Sequence, residues 1–282
     1  ATTGTVLIVL ALAGTVAATL ALAWRFGSVI GIKSVALTLP PLAANSNART
    51  YYGIWRLRKV CVKVLNTQHP RREVLAAVRA LKRLRHPRLV RVYGGNVDPE
   101  MLVTAYAERE TLRRCVDSRD PVVAERRVEL LRDVLEGLVY LHARGLLHLN
   151  LTPTNVLLDR DGNAVIADMA FSVFSAGWNR PPLEWKKARL RASPPEAVQQ
   201  TPCDERSDSY MWAALAWYVD SGEQPLVEVS DRDAIVRAVV AGVVPPFGIV
   251  HNDIAPLVEV SMAKLSLRPT PRHILQQFNS LS

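Results

Sequence analysis

Apolar residues fall in short β-branched runs along the early part of the chain and at helical spacing along the rest. Val35-Ala-Leu-Thr-Leu39 and Val60-Cys-Val-Lys-Val-Leu65 have the length and residue types of strands. Leu89 to Tyr93 and Met101 to Tyr106 read as two more, flanking a turn-prone Gly94-Gly95-Asn96. Arg72 to Leu84 places its apolar residues on one helical face and ends at Arg85-His86-Pro87. Beyond Leu112 helical patterns dominate, over Val122 to Ala143, Ser207 to Val219, Asp231 to Ala241 and Ile254 to Lys264. A sheet-rich part followed by a helical part predicts an α+β fold of two lobes, residues 35–106 and 107–282, with a cleft between them.

One stretch follows neither pattern. Residues 1–24 carry no charge, and Val6 to Trp24 are nearly all apolar, close to the roughly 20 residues that a bilayer-spanning helix needs. This predicts a transmembrane helix. A cleaved signal peptide is the rival reading, with Ala21-Leu22-Ala23 in the small-x-small form, but a basic leading region is missing. Arg25 and Lys33 follow the span and nothing basic precedes it. The expectation is therefore a single-pass membrane protein, with residues 25–34 as a basic juxtamembrane linker and the rest of the chain in the cytoplasm. Because the chain opens with Ala and not Met, it is expected to be a piece of something longer.

Over 282 residues, 49% apolar and 22% charged content excludes disorder and small disulfide scaffolds. Lys+Arg 35 against Asp+Glu 26 leaves a formal net charge of +9, which suits an anionic membrane surface, nucleic acid or a phosphorylated partner without choosing among them. The clusters Arg79 to Arg91 and Lys186 to Arg191 carry much of it. Three widely spaced cysteines, Cys61, Cys115 and Cys203, lack metal-ligand spacing and read as reduced, packed thiols.

The segment His148-Leu-Asn-Leu-Thr-Pro-Thr-Asn-Val-Leu-Leu-Asp159, followed by Ala164-Val-Ile-Ala-Asp-Met-Ala170, resembles the catalytic and metal-binding loops of protein kinases with altered letters. The resemblance continues along nearly the whole region. Val60 to Leu65 is similar to the strand carrying the phosphate-binding lysine, which places Lys63 there. Leu102 to Leu112 resembles the hinge, with Thr104 guarding the back of the cleft and Tyr106 beside the nucleotide. Ser193-Pro-Pro-Glu-Ala197 has the form that closes an activation segment. Glu205 to Leu226 resembles the long buried helix of the second lobe, most like the tyrosine-kinase-like group, and Leu267 to Phe278 the terminal helix. The order and spacing of these fragments imply the bilobal protein kinase fold.

The chemistry that this family needs is mostly positioning and charge neutralisation. Ala43, Asn45 and Ala48 stand where the resemblance puts three phosphate-cradling glycines. Ala77 stands at the helical position for the lysine's glutamate partner, and Glu73 lies one turn earlier on the same face. Asn150 replaces the aspartate that accepts the hydroxyl proton, and an amide has no basicity near neutral pH, which removes about 10²- to 10⁴-fold of rate. Thr152 replaces the lysine that neutralises the migrating phosphoryl group. Asn155 and Asp168 match the two metal-holding positions, and Met169-Ala170 replaces the glycine that follows the metal-binding aspartate.

The architectural positions persist. Leu81, Val92, His148 and Met169 match the apolar stack joining the lobes, and Asp208 the buried acid beneath it. Glu196 and Arg268 match a buried ion pair. Ser172, Ser175 and Ser193, with Phe171, Phe174, Trp178 and Trp185 among Arg180, Lys186 and Lys187, make the activation segment a candidate docking loop. The resemblance therefore implies a membrane-tethered pseudokinase, a scaffold or allosteric regulator of a signalling protein such as another kinase. The alternative is a weak or atypical ATP-dependent Ser/Thr protein kinase holding ATP and Mg²⁺ through Lys63, Asn155 and Asp168. Anionic lipid is a further candidate partner, and nucleic acid is not favoured.

Overall fold

The computed structural model describes residues 6–9, 21–25, 34–44, 48–66, 71–97, 100–169, 187–246, 250 and 253–280. The chain divides into two compact units. One is Ala1–Arg85 with Val90–Tyr106, and the other is His86–Leu89 with Ala107–Ser282.

The first unit is an antiparallel sheet with one helix. Its strands are β1 (Val6–Val9), β2 (Ala21–Arg25), β3 (Ser34–Thr38), β4 (Ala43–Ala44), β5 (Ala48–Trp55), β6 (Arg58–Leu65), β7 (Val92–Val97) and β8 (Glu100–Ala105), and its helix is α1 (Arg71–Arg83). The spatial order is β1-β2-β3-β5-β6-β8-β7, with β4 paired to β5. Val60, Val62, Val35, Leu37, Met101 and Val103 form the buried cluster on one sheet face. The alternation of β6 explains this, because β-branched residues two apart share a face and leave Cys61 and Lys63 on the other.

Two expectations are corrected in this unit. The transmembrane helix over residues 1–24 gives way, where the chain is described, to strands: Val6–Val9 pairs antiparallel with Ala21–Trp24, and β2 pairs with β3. Residues 10–20 lie outside the described residues. A β-branched apolar run satisfies its backbone equally well in a ladder, and hydropathy alone does not separate the two. Among the described residues no helix is long and apolar enough to cross a membrane. The second correction concerns Gly94-Gly95-Asn96, read as a turn, which lies inside β7 and is buried. A Cβ on Gly95 would meet the Met101 carbonyl at 2.4 Å and a Val78 methyl at 3.0 Å, so glycine is required by the close approach of α1 and β8.

The second unit is helical. Its elements are α2 (Leu112–Asp117), α3 (Pro121–His142), β9 (Val156–Leu158), β10 (Ala164–Ile166), α4 (Lys187–Arg191), α5 (Pro195–Val198), α6 (Glu205–Ser221), α7 (Arg232–Val240), α8 (Ala255–Ser261) and α9 (Pro271–Ser280). The helix expected over Ile254 to Lys264 is α8 followed by a 3₁₀ turn at Leu265–Leu267. Asp120 and Asp204 cap α3 and α6, the latter in a capping box with Ser207. Leu130, Leu131, Val134, Leu135, Leu138 and Leu141 of α3 are buried, as is every residue of α6 from Ser207 to Val219. A helix apolar on all sides is a core helix. Trp212 joins the two by donating its indole N–H to the Leu131 carbonyl at 3.1 Å. Gly137 brings α3 against β10, since a Cβ there would meet Ile166 at 2.7 Å. Cys115 and Cys203 are buried, Cys61 is half-buried, and all three are reduced thiols. Burial pushes the Cys203 thiol up to about 12.

Candidate functional site

In the helical unit, the loop at 148–155 runs between α3 and β9 and is anchored by one buried carboxylate. Asp208, in the first turn of α6, accepts the backbone N–H groups of His148 and Leu149, each at 2.8 Å, and His142 Nε2 at 2.8 Å. Burial alone would raise this carboxyl, but the hydrogen bond and charge of His142, with those of His148, outweigh it and hold it below the ordinary value. The anchor fixes Leu149 at φ 51°, a left-handed conformation unusual for leucine. His148 is fully buried. Its Nε2 lies 3.0 Å from the Ala167 carbonyl and its Nδ1 accepts the Asn150 N–H at 3.3 Å, so the ring is the neutral Nε2–H tautomer. Burial pulls its proton affinity down, and Asp208 only partly offsets this.

The residues expected at the reacting centre come together at the far end of this loop. Asn155 donates its side-chain N–H to the Asn150 carbonyl at 2.8 Å, and its own carbonyl accepts the Ala167 N–H at 2.8 Å. Asn150 donates its amide N–H to Asp168 Oδ2 at 3.1 Å. Asp168 sits at φ 59°. Thr152 hydrogen-bonds Thr154, hydroxyl to hydroxyl at 2.9 Å. The catalytic-base position is thus occupied by a hydrogen-bond donor turned to a carboxylate. Asp168 and Asn155 offer the hard oxygen donors that suit Mg²⁺, with water and phosphate completing its shell, although Asn150 already engages one of the Asp168 oxygens. Among the described residues no group of three or more His, Cys, Asp or Glu is placed to hold a metal.

Two participants were not apparent from the sequence. His142 ends α3 and shares the Asp208 carboxylate from 66 residues away. Arg189 of α4 donates to the Leu149 carbonyl at 2.9 Å, and burial draws its guanidinium down to about 10 against the opposing charge of Asp168. In the sequence Arg189 is one of the basic cluster Lys186 to Arg191. Ser193, read as an activation-segment hydroxyl, is buried and donates to the Arg189 carbonyl at 2.7 Å. Residues 170–186, with the expected docking aromatics, Ser172 and Ser175, lie outside the described residues.

The ion pair expected between Glu196 and Arg268 is formed at 2.6 Å with both side chains buried. Ser207 donates to the same Glu196 oxygen at 2.8 Å, Arg268 Nε donates to the Ala263 carbonyl at 2.6 Å, and the guanidinium lies 4.9 Å from the Tyr210 ring centre. Met169 is buried as well.

In the sheet unit, Lys63 lies opposite Thr50 on β5 and Leu102 on β8, on the same face as Thr104, whose partner is Cys61. Tyr106 packs edge-on against Tyr52 at 5.1 Å. Ala43 is exposed in β4, opposite Thr50, and Ala48 is buried at the start of β5, while Asn45 lies outside the described residues. Ala77 is buried in α1, and Glu73 is exposed in its first turn. Leu81 and Val92 are buried.

Residues 41–278 match the family model of protein tyrosine and serine/threonine kinases. The chain belongs to the protein kinase family. The kinase domain has distant relatives whose similarity agrees with the tyrosine-kinase-like texture of α6. A probable serine/threonine-protein kinase of Dictyostelium discoideum is 24% identical over 253 residues, 84% of this chain and 15% of the relative. Human mitogen-activated protein kinase kinase kinase 7 is 26% identical over 200 residues, 68% of this chain and 32% of the relative. Serine/threonine-protein kinase CTR1 of Arabidopsis thaliana is 31% identical over 197 residues, 65% of this chain and 24% of the relative. The chain spans less than a third of the length of each.

Proposed function

We propose that this kinase domain is a pseudokinase, a scaffold or allosteric regulator of a signalling protein such as another kinase, without efficient phosphoryl transfer. The observation that carries the reading is the contact of the Asn150 amide with Asp168. A general base must accept a proton from the attacking hydroxyl, and Asn150 has only an amide without basicity near neutral pH, one N–H of which is given to the carboxylate. Thr152 brings no charge to a developing phosphoryl oxyanion. The groups that shape the domain, Asp208 with His142 and His148, and Glu196 with Arg268, are all engaged.

The competing reading is a weak Ser/Thr kinase. It is favoured by the retention of Lys63, Asn155 and Asp168, and by the names of the relatives. Purified protein incubated with radiolabelled ATP and Mg²⁺ separates the two. Background incorporation, unchanged by Asp168→Ala, supports the pseudokinase. Incorporation abolished by Asp168→Ala, with a metal-dependent thermal shift on ATP, supports the enzyme.

We also infer, from hydropathy and from Arg25 and Lys33 after the apolar run, that residues 1–24 hold the chain at a membrane with the kinase domain on the cytoplasmic side. Resistance of the membrane-associated chain to alkaline extraction tests this. Complete release into the supernatant would favour residues 1–24 as part of the sheet, where β1 and β2 pair.

A further inference from the structure

The β5–β6 hairpin turns through Arg56 and Leu57, both left-handed at φ 49° and 62°. A two-residue turn of this kind favours Asn-Gly, so an Arg-Leu pair is a poor choice for the turn itself. Leu57 is 99% exposed at the tip, between two arginines. Beside it lies a cavity of about 540 Å³ lined by Trp55, Arg56, Arg58, Lys82, Arg91 and Tyr93. The Trp55 and Tyr93 rings, 5.3 Å apart, form an aromatic wall, and the Arg56 guanidinium lies 5.0 Å from the Trp55 ring centre. Among the described residues no carboxylate pairs with any of these four cations, although the arginines at 88, 109, 113 and 114 all have acidic partners.

Two arginines of the other basic cluster are already engaged. Arg189 donates to the Leu149 carbonyl, and Arg191 to the carbonyls of Leu226 and Val229 at 3.0 and 2.7 Å. Four cations without an acidic partner among the described residues therefore meet at the hairpin tip and the cavity beside it.

We propose that this tip docks on an anionic membrane, with a phosphorylated lipid headgroup taken into the cavity by Arg56, Arg58, Lys82 and Arg91 and with Leu57 entering the interface. Clustered phosphate monoesters match several mobile cations over an aromatic wall. A bilayer also explains Leu57, because a projecting apolar residue flanked by cations can go below the phosphate level while its neighbours stay at it. A phosphopeptide in the cavity would leave Leu57 unexplained. The inference is independent of whether the domain transfers phosphate.

The test is co-sedimentation of the full chain with vesicles of phosphatidylcholine alone, and with phosphatidylserine or phosphatidylinositol bisphosphate added, at low and high salt. Binding through residues 1–24 is blind to headgroup charge, and variants at positions 56–58 separate the tip from the chain's other cations, Arg25 and Lys33 among them. It is expected to be strongest on phosphatidylinositol bisphosphate and to weaken with salt. Arg56→Ala with Arg58→Ala should weaken it about 25-fold, at about fivefold per cation near the surface. Leu57→Asn keeps a residue that tolerates the left-handed turn and should weaken it roughly tenfold. Both variants should melt as the parent does, and Leu57→Asn carries the test if the double variant misfolds. Equal sedimentation of parent and variants on all vesicles overturns the proposal. So does binding of free inositol hexakisphosphate or a phosphopeptide through the same arginines without headgroup-dependent vesicle binding.

Discussion

Asn150 holds the Asp168 carboxylate with its amide at 3.1 Å, so the base position and the metal position are hydrogen-bonded to each other. Asn150→Asp would set two carboxylates at that distance, and their repulsion together with the lost N–H is expected to destabilise the domain by about 1–3 kcal/mol. The acid alone is not expected to restore transfer, because Thr152 still leaves the phosphoryl charge unneutralised. Radiolabel incorporation should stay at the level of the parent while the melting temperature falls. A rise of about 10²- to 10⁴-fold, the size of the general-base contribution, would mean that the remaining apparatus is competent and that only the base is missing.

The buried pair of Glu196 and Arg268 gives a second prediction. Arg268→Met removes the cation and leaves Glu196 buried with Ser207 as its remaining donor. An uncompensated buried charge costs about 3–5 kcal/mol, which for a domain of this size lowers the melting temperature by roughly 10 °C. Adding Glu196→Gln should recover part of the loss, since the charge then disappears with its partner. Calorimetry of the two variants checks this, and a change of under about one degree for Arg268→Met would remove the pair from the stability of the fold.

The residues that place the site were legible where local pattern and tertiary role agree. The strands around Val35 and Val60 and the helices built on Leu131 and Trp212 show in the sequence because periodicity and burial coincide there. Gly94-Gly95-Asn96 misleads for a definable reason: the composition is that of a turn, yet the glycine is spent on clearance from the Met101 carbonyl and Val78, contacts that no local window contains. At Val6–Val9 and Ala21–Trp24 the run misleads as to a helix, because apolarity reports burial but not the backbone that satisfies it. His142 and Arg189 were missed for a third reason. Each lies where helical position suggests core packing or a solvated face, and each is recruited by a partner distant in sequence, 66 residues for His142 and 40 for Arg189.

Two histidines make stability fall toward acid pH. Burial lowers the proton affinity of His148, and does the same for His86, which stacks 4.7 Å from Tyr140. The folded value of each lies below the unfolded one, near 6.5, so unfolding takes up protons in between, and the stability each contributes is complete above 6.5 and drains as the pH falls. Asp208 is also held below its ordinary value, but that contribution is lost only in a far more acid range. The melting temperature should be level above neutrality and decline below about pH 6.5. His86→Phe, which keeps a ring against Tyr140, should make the decline shallower. A profile that is flat or rising down to about pH 5.5 would show that neither ring is held neutral by the fold.

Gly95 and Gly145 separate clearance from backbone freedom. At Gly95 a methyl group would lie 2.4 Å from a β8 backbone carbonyl and 3.0 Å from Val78 on α1, and neither neighbour is the end of a flexible side chain. Gly95→Ala must therefore move α1 or break the β7–β8 ladder, an overpacking cost of about 1–3 kcal/mol that falls on the sheet unit. Gly145 follows α3 at φ 68° with nothing within 4 Å of the added methyl, so Gly145→Ala meets only the left-handed penalty, about 1–2 kcal/mol. Size then discriminates between them. Replacing alanine by leucine, which adds volume without β-branching, should deepen the loss sharply at position 95, where volume is the obstacle, and much less at position 145, where only the backbone angle is. Denaturant midpoints of the four variants measure this, and equal increments at the two positions would mean that Gly95 is not required for the approach of α1 to the sheet.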